Sequence, residues 1–122
     1  MTRDYALNMD HPQKPGEKGS GLQPLEVLLA SLAGSSVNTL VLLLRRTEQR
    51  VRGIEVDARG VLGGGHPAVF TDVSLEFVVR GRDVDAGAVE RALLATEQYM
   101  CPVLAMLKGG PRVTTSYRIE EL

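Results

Sequence analysis

A single cysteine, no tryptophan and only two histidines set the first limits on this 122-residue chain. Cys101 has no partner within the chain, so no intrachain disulfide can form. Together with His11 and His66 it offers too few ligands for a Cys/His zinc site, so neither a metal nor a cofactor is expected. Aromatic residues are scarce, at 4% of the chain, which leaves no platform for stacking the bases of single-stranded nucleic acid. Charge of one sign is lacking too. Fourteen Lys and Arg are interspersed with fifteen Asp and Glu, a net charge of −1, and this makes no electrostatic case for nucleic acid or an anionic membrane as partner. The opening MTRDYALNMDHPQKPGEKGSG has no apolar run and does not read as a signal peptide, so a cytoplasmic protein is expected.

What the chain does have is one long apolar stretch, Pro24–Arg46. No charge occurs between Val27 and Leu44, while Glu26 precedes the run and Arg45–Arg46 close it. Acid at the start and base at the end complement the partial charges of a helix, so one long helix is predicted. The stretch has the length of a membrane span. However, Ser31, Gly34, Ser35, Ser36, Asn38 and Thr39 lie in its middle, where lipid would leave their polar groups unsatisfied. The reading is therefore a soluble helix buried on every side.

Around it the chain reads as one domain over residues 1–122. Residues 4–9 predict a short strand, and the Pro-, Gly- and Lys-rich segment up to residue 21 predicts a mobile loop. Apolar and polar residues alternate over Val51–Leu62 and again over Val73–Arg80, with Gly63–Gly65 between them, which predicts an antiparallel hairpin. Asp85 is a good N-cap for a second helix from Ala86 to about Tyr99, with Val89, Leu93, Thr96 and Met100 inward. Pro102 then favours the start of a short helix to Lys108, with Cys101 at its N-cap. Alternation over Val113–Ile119 gives a last strand. The expected fold class is α+β: an antiparallel sheet packed on the long central helix and a second helix pair. A helix apolar all round needs more cover than one sheet provides, so an intertwined homodimer sharing that helix is expected.

Two features could carry chemistry. A cysteine at a helix N-terminus feels the positive end of the dipole and can become a thiolate nucleophile; buried cysteines are equally often inert core residues. Ser31, Ser35 and Asn38 fall at i, i+4, i+7 on one helix face, where they either bind a ligand or let another helix approach closely. Ser35 is not a hydrolase nucleophile, because the GxSxG elbow is absent.

The motifs LQPLEVLLASLAGSS and QYMCPVLAML, with GRDVD at the entry to the second helix, resemble the OsmC/Ohr superfamily over roughly residues 20–120. That resemblance implies an intertwined homodimer and, in active members, thiol-dependent reduction of organic hydroperoxides by two cysteines. Cys101 matches the second, resolving cysteine; Ser35 stands where the first, attacking one belongs. Leu25 occupies the position of the catalytic carboxylate, Glu26 matches a glutamate of other branches, and Arg3 has no basis for the role of the family's catalytic arginine. An alcohol is a poor nucleophile toward peroxide, so the two-cysteine cycle is not expected to run. The expectation is a member that binds an apolar small molecule at a dimer interface through Ser31, Ser35 and Asn38. The alternative is a one-cysteine hydroperoxide reductase using Cys101 and an external thiol reductant.

Overall fold

The computed structural model describes residues 4–10, 16 and 19–122, Tyr99 by its backbone. Its elements are α1 (Pro24–Arg46), β1 (Arg50–Leu62), β2 (Phe70–Arg82), α2 (Ala86–Ala95), a π-helical turn (Thr96–Met100), α3 (Pro102–Met106) and β3 (Arg112–Glu121). The α+β class is as expected.

Helix α1 runs over the predicted stretch because both ends are specified. Pro24 supplies a preset φ at the first turn, and the Glu26 carboxylate accepts the backbone N–H of Gln23 at 2.8 Å. At the other end Thr47 and Glu48 return their N–H groups to Leu43 and Arg45, and Glu48 takes a left-handed φ of 59° that stops the helix. The helix packs on the sheet through Leu32, Leu40 and Leu44. These meet Val73, Leu75, Phe77 and Val79 of β2 and Val89 and Leu93 of α2 in one buried cluster that also contains Cys101 and Leu104.

Strands β1 and β2 form the expected antiparallel hairpin, with bulges near Arg52 and at Val61–Leu62. The sheet as a whole is not antiparallel. Strand β3 lies beside β2 and parallel to it, from Asp72↔Arg112 to Gly81↔Glu121, giving the order β1-β2-β3 and a mixed sheet. The helical segments between Arg82 and Arg112 carry the chain back to the end of the sheet where β2 began, and only such a long crossover permits a parallel neighbour. Alternation of side chains is the same for either strand direction, so the sequence pattern does not distinguish them.

Three further expectations need correction. No strand forms over residues 4–9; Met9 makes an isolated bridge to Leu22, and Tyr5 and Leu7 are exposed. A segment with one bridging partner has no ladder to satisfy its backbone. The predicted loop after it falls largely on residues 11–15, 17 and 18, outside the described residues, as do Arg3 and His11. The second helix does not stay α-helical to Tyr99, and Met100 is exposed rather than inward. Finally, α1 is not covered on every side within one chain: Ala30, Ser31, Gly34, Asn38 and Leu42 form an exposed stripe along it.

Two glycines are required by close approach. A Cβ on Gly60 would meet the ring of Phe70, and one on Gly81 would lie 2.2 Å from the carbonyl oxygen of Arg50. Gly53 has open space around it. Gly81→Ala should therefore cost about 2 kcal/mol or more through backbone displacement, while Gly53→Ala should change stability by less than about 1 kcal/mol. Urea denaturation of the two variants checks this; equal midpoints would contradict the close packing of Arg50 on Gly81.

Candidate active site between the central helix and the thiol

The site is built by two helix ends meeting at the middle of α1. Thr96 is 2% exposed and its hydroxyl donates to the carbonyl of Ala92 at 2.8 Å, a back-bond that loosens the regular ladder. The next turn widens to π geometry, and the N–H of Cys101 returns five residues to the carbonyl of Thr96 at 3.3 Å. Pro102 has no N–H to continue the ladder, so α3 starts afresh with Cys101 at its N-cap, as predicted, and its carbonyl accepts the N–H of Ala105.

This arrangement turns the thiol inward. Cys101 is 1% exposed, and its Sγ donates to Oγ of Ser35 at 3.3 Å. A second hydroxyl, that of Ser36, lies 3.7 Å from the same sulfur and is wholly buried. The two contacts are consistent with a short relay in which Ser36 donates to sulfur and sulfur donates to Ser35. The thiol is thus held among hydroxyls by its own hydrogen bonds, and its side chain makes no cap bond to α3. A five-residue helix also has too few aligned peptides to act as the strong dipole that the thiolate reading required.

The predicted stripe on α1 divides. Ser35 points to Cys101, whereas Ser31 and Asn38 are exposed on the open side of the helix. Three residues at this spacing span a broad arc, and the sheet and α3 cover only one flank. Ser36 went unremarked as a site residue, although its signal was present: Leu32, Ser36 and Leu40 repeat every four residues down the buried face. Glu26 is engaged as the helix cap, which is a structural role. Among the described residues no group of three or more His, Cys, Asp and Glu side chains could hold a metal ion.

The space for a ligand lies at the start of α1. A cavity of about 340 Å³ is lined by Leu25, Leu28, Leu29 and Leu32 of the helix, Val69, Phe70 and Val73 of β2, and Leu107, Gly110 and Pro111. It adjoins a hollow of about 510 Å³ over Gly60 and Leu62 that shares Leu25, Leu29 and Phe70. Leu25 therefore sits on the wall of an apolar pocket, with no acid there to assist a peroxide. None of Ser31, Ser35, Asn38 and Cys101 lines either space.

Removing the sulfur should expose the logic of the relay. Cys101→Ala leaves the Ser36 hydroxyl without its partner and a gap beside Leu104, and should cost about 2–3 kcal/mol; Cys101→Ser keeps a polar partner and should cost less. Denaturation midpoints check the order, and a Cys101→Ala variant as stable as Cys101→Ser would refute it.

A family model described as OsmC-like protein matches residues 16–116. Protein YhfA of Escherichia coli strain K12 is 35% identical over 97 residues, covering 79% of this chain and 72% of that protein. Among solved structures, a hypothetical protein from Aquifex aeolicus VF5 superposes with a TM-score of 0.79 at 26% identity, over 85% of this chain and 78% of that one. An organic hydroperoxide resistance protein from Elizabethkingia anophelis superposes with a TM-score of 0.72 at 17% identity, over 90% and 78%, a likeness of fold.

Proposed function

The chain belongs to the OsmC-like protein family, and we propose that it acts there as a binding protein in the peroxide and stress response, without two-cysteine peroxidase turnover. The observation that carries this reading is the contact of Cys101 with Ser35. The hydroxyl occupies the place, 3.3 Å from the thiol, where an attacking sulfur would have to stand. A peroxide O–O bond needs a thiolate to open it, and a serine hydroxyl stays protonated near neutral pH. The ligand is an apolar small molecule, taken up in the leucine-lined cavity at the start of α1, whose volume lies within the range of small-molecule pockets. The second partner is another copy of this chain, covering the exposed stripe of α1 through Ala30, Ser31, Gly34 and Asn38. Small side chains there permit close helix approach, so Ser31 and Asn38 serve the dimer interface more directly than the ligand. A cytoplasmic location fits a protein of this chemistry.

The one-cysteine reading is supported by Cys101 being the only thiol, and it ranks second because the sulfur is buried and hydrogen-bonded. In that scheme the thiolate would take one oxygen from an organic hydroperoxide, releasing the alcohol, and an external thiol would reduce the sulfenic acid.

Consumption of an alkyl hydroperoxide in the presence of a dithiol separates the two. Wild type and Cys101→Ser should both show only the background rate, and Ser35→Cys should gain dithiol-dependent turnover by placing a second sulfur against Cys101. Turnover in the wild type that disappears in Cys101→Ser would replace the binding reading with the one-cysteine enzyme. Sedimentation should report a dimer for the wild type and a monomer for Gly34→Arg, since the long side chain stands on the open stripe; a monomeric wild type would remove the dimer from the proposal.

A further inference from the structure

One end of the hairpin breaks a local rule of strand pairing. Arg50 of β1 and Arg82 of β2 are direct partners across the antiparallel ladder. Like charges placed opposite one another repel, and such pairs are destabilising. Both side chains are exposed, on the face away from the core, because their neighbours Val51 and Gly81 point inward. Arg52, also exposed, is the extra residue of the bulge that immediately follows Arg50. Among the described residues none of the three makes an ion pair or a side-chain hydrogen bond.

The acids nearby are committed elsewhere. Arg80, one step along the same face, takes both Glu55, at 2.8 Å, and Glu120, at 3.4 Å. Glu120 also holds Arg118 at 2.7 Å. The Glu121 carboxylate accepts the backbone N–H of Asp83, whose φ of 50° forms the turn after Arg82. Three guanidinium groups are left together with no counter-charge from the fold.

We infer that Arg50, Arg52 and Arg82 form a binding site for a phosphate group. A guanidinium is a planar fork of donors, and one carboxylate satisfies one fork. A tetrahedral dianion presents three acceptor oxygens and two negative charges, so it can take bonds from two opposed forks at once and relieve their repulsion. The site is a shallow sheet surface with no aromatic side chain among its three residues. It reads the charge and shape of the phosphate and leaves whatever the phosphate is attached to outside. It is independent of the apolar cavity, which is lined by other residues at the start of α1.

Thermal unfolding of the whole chain tests this. Inorganic phosphate should raise the melting midpoint above that in sodium chloride of matched ionic strength, by about 5 °C when present at ten times its Kd. Arg50→Gln and Arg82→Gln should each abolish that difference, and Arg112→Gln, at the far end of the sheet, should keep it. In chloride alone Arg82→Gln should melt no lower than wild type, since it removes a repulsion. Glycerol phosphate and vesicles containing phosphatidic acid, run in parallel, distinguish a soluble phosphate ester from a lipid headgroup as the source. No phosphate effect in the wild type, an effect undiminished in Arg82→Gln, or a lower midpoint for Arg82→Gln in chloride would each overturn the site. None of these readouts depends on hydroperoxide turnover.

Discussion

The structure depends on keeping an uncharged helix out of water. From Val27 to Leu44 there is no charged side chain, and every neighbouring element is placed where it covers part of α1. The hairpin supplies Ile54, Val56, Leu75 and Phe77; α2 supplies Val89 and Leu93; the segment after the π turn supplies Cys101 and Leu104. Burial of such side chains is the main favourable contribution to folding, at about 25 cal/mol per Å² of apolar surface. The cover is incomplete in a single chain. Two regions stay open, the small-residue stripe and the leucine-lined hollow at the N-terminal end, and they are where the proposed partners attach.

The same constraint explains the state of the thiol. A sulfur enclosed beside α1 has to find its polar contacts within the fold, and Ser35 and Ser36 provide them. Buried polar groups are tolerated when they satisfy one another, and here the relay does so with three small side chains. The contact that would have joined two sulfurs in an active relative is retained as a contact between sulfur and oxygen. Its geometry has survived as packing, and the redox chemistry has gone with the missing atom.

Much of this was legible in the residues. Glu26 and Arg45–Arg46 marked both ends of α1, the triple glycine marked the hairpin turn, and Asp85 marked the start of α2, where its side chain does accept the N–H groups of Gly87 and Ala88. The juxtaposition of Ser35 and Cys101 followed from motif resemblance rather than from periodicity. What stayed hidden has physical causes. A strand that alternates Val113, Thr115, Tyr117 and Ile119 looks the same run in either direction. The π turn contains no residue type peculiar to it. A helix that is apolar on all sides does not announce which flank its neighbours will leave bare, so Ser31, Ser35 and Asn38 read as one group although the fold separates them. Arg50 and Arg82 became partners only once the register was fixed.

The π turn before Cys101 has a bearing on how this chain can change over time. Such a turn holds one residue more than the α-helical path between the same two points. Each helical residue advances the direction of its side chain by about 100°, so loss of any one residue from Thr96–Met100 would restore an ordinary helix and swing the sulfur to another flank of the bundle. Substitutions in that turn leave the phase intact, whereas deletions do not. The spacing between Thr96 and Cys101 is therefore a length that drift cannot shorten by a single step while the thiol keeps its place against Ser35.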